Sequence, residues 1–240
     1  MRCCTGETWP WLAAAWPDVL AAAALVPATP LLVPAVAVGS APLDALREAV
    51  GCSVRRLLAA GPDVVVIVGA AERRGPRSGG WDWRRWGVPL GSGRPPLPRP
   101  LAIGDWLLDD VGWHGAREHV GVAADEVPAQ AAALGRSLVS SGSVALLVVG
   151  DGSARRDDKA PGHFDPRAEA FDRRVTNAVG AADVAALLSL ESELAGVLMV
   201  EGRAPWQVLA GAASAGAWQA EVSYAGAPYG VQYLVASWWR

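Results

Sequence analysis

Lysine is almost missing from this chain: Lys159 stands alone against 20 arginines in 240 residues. With the surplus of Ala, Gly and Pro, that bias reads as the coding pressure of a GC-rich genome rather than as function. The formal net charge of -3 excludes the clustered excess of cation that a nucleic-acid surface needs. Cysteine is nearly as scarce. Cys3, Cys4 and Cys52 are odd in number and contain no CxxC pair, which excludes a disulfide framework and a structural zinc site and fits a reducing, cytoplasmic setting. Long apolar runs are missing too, because the stretch from 20 to 38 carries Pro27, Pro30 and Pro34, a spacing no membrane-spanning helix tolerates. Histidine is limited to His114, His119 and His163. The first two lie five residues apart, where a helix does not place them on one face, and read as surface histidines.

The content is a single α/β domain. Hydrophobic residues make up 52% and charged residues 19%, enough to bury a large core. Residues 1–18 read as an extension, disordered or outside the native start, and the first strand begins at Val19. Apolar positions Leu43, Leu46, Val50, Val54, Leu57 and Leu58 recur at helical spacing, and Gly61-Pro62 stops the helix. The β-branched run 64–68 is the pattern of a strand buried on both faces, and 144–149 repeats it. Helices follow over 128–140, 165–179, 181–190 and 204–213, with strands at 220–224 and 231–235. Strands alternating with helices predict a mostly parallel central sheet flanked by helices. The stretch 70–100, rich in Gly, Pro, Arg and Trp, reads as a long loop, a lid or a partner-contact segment whose Trp81, Trp83 and Trp86 could stack on a planar ligand. The 12 tryptophans fall mainly in peripheral segments, with Trp206 the one nearest the candidate site.

Open α/β sheets bind ligands beyond the carboxyl ends of their strands. Of the three such ends, Gly150-Asp151-Gly152-Ser153-Ala154-Arg155-Arg156 carries the most chemistry. Turn N–H groups, a hydroxyl and two guanidinium groups suit a small anion held by Gly152, Ser153, Arg155 and Arg156. The segment departs from both GxxxxGK[ST] and GxGxxG, so a tight turn with solvated arginines is the competing reading. Asp151, Ser153 and His163 are the candidate catalytic groups, His163 as acid or base from the loop that follows. Capping of the next helix is the other role open to His163. A Ser153–His163–Asp165 triad lacks the GxSxG turn and is not favoured.

Read in order, Pro27-Ala28-Thr29-Pro30-Leu31-Leu32-Val33-Pro34, the strand 62–68, Leu146 to Arg155, Lys159 to Asp172 and the closing stretch 227–236 resemble one family. It is the class III extradiol ring-cleavage dioxygenase superfamily, in the LigB-type branch of its catalytic chains and among actinobacterial members, and the likeness covers residues 19–240. The resemblance implies non-haem Fe(II) held by two histidines and a third ligand, Glu or His. By position, the first histidine falls on Ala28 and the second on Ala70 or Ala71, while Glu201 retains the third place. The family's acid/base histidine falls in the region of Arg155 and Arg156. This departure implies a dioxygenase-like protein without a cofactor, non-catalytic or repurposed to bind a small anionic or aromatic ligand, with Arg156 as a fixed cation where the metal stood. The alternative is an active iron-dependent dioxygenase or other oxidoreductase with an unorthodox ligand set, such as Glu201, His163 and Asp165. Self-association is compatible with either, and neither involves a membrane or nucleic acid.

Overall fold

In a computed structural model, which describes residues 19–39, 41–140 and 142–240, the β-branched runs form the centre of one seven-stranded sheet. The extension read over 1–18 lies outside the described residues. Strands β1 (Val19–Val26), β2 (Val64–Ala70), β4 (Ala116–Val122) and β5 (Ser143–Val149) are parallel, in the order β4-β2-β5-β1. Antiparallel strands close both sides: the short β3 (Gly75–Arg77) beside β4, and β7 (Tyr233–Trp239) then β6 (Gln219–Gly226) beyond β1. The expected α/β domain is therefore present, with its parallel character confined to four inner strands of a mixed sheet.

Side-chain alternation explains why β5 is apolar throughout. Val144, Leu146 and Val148 join the core on one face of the sheet, and Ala145, Leu147 and Val149 join the core on the other. One face is covered by α3 (Pro128–Leu138), α4 (Ala168–Gly180), α5 (Val184–Leu188), α6 (Ser192–Val197) and α7 (Arg203–Ala212). The other is covered by α1 (Asp44–Ala59) and α2 (Arg99–Asp110). Among the described residues, no helix is long and apolar enough to cross a membrane.

Four expectations need correcting. The 70–100 stretch is not structureless: it contains β3, a 3-10 turn at Arg84–Trp86 and two isolated bridges, and it runs into α2. Its anchor is Trp83, fully buried beneath Trp81, Trp86 and Trp106 with ring centroids 5.5 to 6.2 Å away. The tryptophans are accordingly not only peripheral, since Trp83, Trp206 and Trp238 are among the largest fully buried side chains. His119 is no surface histidine. It lies on β4 facing α2, buried, with Nε2 3.0 Å from Asp105 Oδ1, beside Arg94 and Arg117. Burial works to raise the Asp105 carboxyl, but His119 and the two arginines outweigh it and hold the group below its ordinary range. Finally, α4 begins at Ala168. Asp165 sits in the preceding turn, where its carboxylate accepts the Arg167 backbone N–H and pairs with the Arg167 guanidinium.

Candidate functional site

Parallel strands end together, and the chain leaving β1 and β5 meets at their carboxyl ends. Gly150 N–H donates to Val26 C=O at 3.0 Å, and Ala28 N–H donates to the carboxylate of Asp151 at 2.8 Å. The segment before α7 packs onto the same point. Gly202 N–H donates to Asp151 C=O at 2.9 Å, and a Cβ on Gly150 would lie 2.4 Å from Gly202 Cα, so only glycine admits the approach. Glu201 is thereby carried to the mouth of the sheet.

Arg99 reaches it from the other side. A Cβ on Gly69, near the end of β2, would lie 2.7 Å from Pro100 Cβ, so the first turn of α2 rests directly on that strand. Arg99 Nη2 donates to Glu201 Oε2 at 2.6 Å, with both side chains partly exposed. Beneath them, Tyr233 O–H donates to Thr29 Oγ1 at 3.3 Å, both residues being buried.

This setting governs ionisation. Burial, reinforced by the Glu201 charge, pushes Asp151 up to about 7 against the opposing pull of Arg99 and the Ala28 N–H. Burial also pushes the Tyr233 phenol up to about 12, and the Asp151 charge adds to it. The mouth thus brings together the Asp151 carboxyl, held well above its ordinary range, the Arg99–Glu201 pair and, below them, a phenol that burial keeps neutral.

The turn after β5 is organised differently from the sequence reading. Gly152 N–H donates to Gln232 C=O, Ala154 N–H to Leu198 C=O and Arg156 N–H to Gly230 C=O, so these donors face the fold rather than an anion. Ser153 is fully buried, and Asp172 accepts both its N–H, at 2.9 Å, and its O–H, at 2.5 Å. Arg155 turns back onto the fold, donating to Gly162 C=O in the loop that follows and to Val197 C=O at the end of α6. His163 is exposed in a left-handed turn with φ 56°, while Asp165 is engaged by Arg167 and lies 3.8 Å from Arg155. Ser153, His163 and Asp165 form no hydrogen-bonded chain.

The cation beside Glu201 is Arg99 and not Arg156, which lies against Asp172 and Gln232. The Fe(II) that the resemblance implies does not fit these residues. Ala28 and Ala70 or Ala71 offer only methyl groups, Glu201 is engaged by a guanidinium, and among the described residues no three His, Cys, Asp or Glu are arranged to hold a metal ion. Arg99 escaped the sequence reading because its partner lies 102 residues away and its own position closes a proline-rich stretch. Thr29 and Tyr233 lie in segments that carry the resemblance, but nothing there gave either side chain a role.

No family model matches the chain, and no curated protein matches it. Among solved structures, the chain is similar to an uncharacterized protein from Escherichia coli K12, at 16% identity and a TM-score of 0.52. The likeness covers 91% of this chain and 99% of that one. At this identity it establishes the shared α/β fold.

Proposed function

We propose that this chain is an extradiol-dioxygenase-like protein that has exchanged a metal centre for an internal cation and binds a small anionic ligand at the carboxyl end of its sheet. The observation that carries the reading is the 2.6 Å pair between Arg99 and Glu201, at the position the resemblance gives to the third metal ligand. Glu201 engages one terminal nitrogen of Arg99. The remaining guanidinium donors make no hydrogen bond among the described residues, and the side chain is 38% exposed. A carboxylate or phenolate can take those donors. Asp151, titrating near 7, can hold or release a proton at the same mouth.

The test is calorimetric titration of the full chain with an aromatic carboxylate such as protocatechuate. Saturable binding is expected for the wild type, weakened at least tenfold, about 1.4 kcal/mol, by Arg99→Ala. Affinity indifferent to Arg99→Ala would overturn the reading, as would a yellow ring-opened product from the Fe(II)-loaded protein.

A further inference from the structure

Arg156 points away from the strand ends and lines a separate hollow of about 230 Å³ between α4 and the chain joining β6 to β7. The hollow lies on the α4 side of the sheet, whereas Arg99 belongs to α2 on the other side. Arg156 is held there by buried groups. Its Nη1 donates to Gln232 Oε1 at 2.9 Å and to Asp172 Oδ2 at 3.3 Å. Asp172 is itself fixed by the N–H and O–H of Ser153, and Gln232 is 6% exposed. One nitrogen of the guanidinium is therefore anchored by two acceptors. Its Nε–Nη2 edge makes no hydrogen bond among the described residues; there Glu169 forms only a long ion pair, with Oε1 4.0 Å from Nη2 and its side chain 70% exposed.

That free edge is the one which grips a carboxylate or phosphate through two parallel bonds. A second guanidinium, Arg173, lines the same hollow, is exposed, and makes no hydrogen bond or ion pair among the described residues. An arginine on an open surface loses side-chain freedom when it meets an anion, whereas Arg156 has lost it already, so little further ordering opposes binding. A hollow of about 230 Å³ suits a small compound that presents one oxyanion to the two guanidinium groups.

The geometry points to a second binding site, independent of the Arg99 mouth, that takes the oxyanion of a small carboxylate or phosphate compound between Arg156 and Arg173. Glu169 stands in for the ligand at long range and swings out when the anion enters.

Titration calorimetry of the full chain with inorganic phosphate and, separately, with succinate tests this and distinguishes the two chemistries. At least one probe is expected to bind saturably. Arg156→Lys keeps a charge beside Asp172 but lacks the planar edge, and weakens binding at least tenfold. Arg173→Ala weakens it severalfold with an unchanged thermal midpoint, and Glu169→Gln tightens it severalfold. Arg99→Ala removes at most a separate binding event at the mouth and leaves the event that depends on Arg156 and Arg173 untouched, which separates the two sites. Should Arg156→Lys lower the thermal midpoint, the two exposed positions Arg173 and Glu169 decide the matter. The proposal is overturned if neither probe binds saturably, if the Arg173 and Glu169 variants bind like the wild type, or if binding is lost with Arg99→Ala.

Discussion

A carboxyl group enclosed by protein and set beside another carboxylate resists ionisation, and Asp151 is in that position at the end of β5. In the unfolded chain it ionises near 3.8, in the fold near 7, so between those values folding takes up a proton. The unfolded state then binds fewer protons than the native one, and stability falls as pH rises from about 4 to about 7. A difference of about 3 pH units corresponds to as much as about 4 kcal/mol. Asp151→Asn preserves an acceptor for the Ala28 N–H and carries no charge. It is expected to raise the thermal midpoint at pH 8 and leave it nearly unchanged at pH 4; equal effects at the two values would refute a buried, proton-holding Asp151. Asp151 was legible in the sequence because strand ends announce themselves through β-branched runs and glycines, whereas Glu201 was singled out only by the resemblance. Their partners were not, since the hydrogen bonds to Ala28 and Arg99 span 123 and 102 residues and leave no local trace. Ser153 shows the converse: a hydroxyl in a glycine turn looks reactive until Asp172, to which the sequence gave no role, is seen to accept both its N–H and its O–H.

Among the elements, those whose burial is uniform were the readable ones. β2 and β5 are apolar on both faces, and α1 shows one clean stripe. β4, reading Ala-Arg-Glu-His-Val-Gly-Val, was not readable, because its first half is largely exposed and two of its polar residues, Arg117 and His119, turn onto Asp105 from α2. α2 was hidden by the prolines at its start, although proline is well accommodated in a first helical turn. The closest pairing of elements joins α3 to α7 through two glycines. A Cβ on Gly211 would lie 2.1 Å from Ala132 O and 2.5 Å from Ala132 Cα, and one on Gly135 would lie 1.9 Å from Val208 O. These obstacles are backbone, so no rotamer change relieves them and the helices must separate. Gly211→Ala therefore loses more by overpacking, about 1–3 kcal/mol or beyond, than the up to about 1 kcal/mol it gains in helix propensity. The expected result is a lower denaturant midpoint with an unchanged slope; an unchanged or higher midpoint would show that the two helices part without cost.

For the molecule as a whole, the question is what holds the mouth of the sheet closed when the two positions that the resemblance gives to metal-binding histidines hold alanine. Three contacts do so without one: the Asp151 carboxylate on Ala28 N–H joins the chain after β1 to that after β5, Gly202 N–H on Asp151 C=O joins α7 to both, and the Arg99–Glu201 pair joins α2 to α7. Each of these joins is made by protein atoms alone, and Trp206 lies beneath Gly202, so tightly that a Cβ there would come within 2.2 Å of the indole. A bound metal would add a measurable increment to this arrangement. At a free concentration a hundredfold above its dissociation constant it contributes about 2.7 kcal/mol, which for a domain of this size is a shift of roughly 5–10 °C in thermal midpoint. Dialysis of the purified chain against a strong chelator is therefore expected to leave the midpoint unchanged and the affinity for the aromatic carboxylate intact. A drop on chelation that Fe(II) restores would mean that a ligand set other than Ala28, Ala70 and Glu201 holds a metal, and would return the chain to iron chemistry. A drop that Arg99→Ala reproduces without any metal would instead assign the loss to the ion pair. The two results separate a metalloprotein from one in which a guanidinium has taken the metal's place.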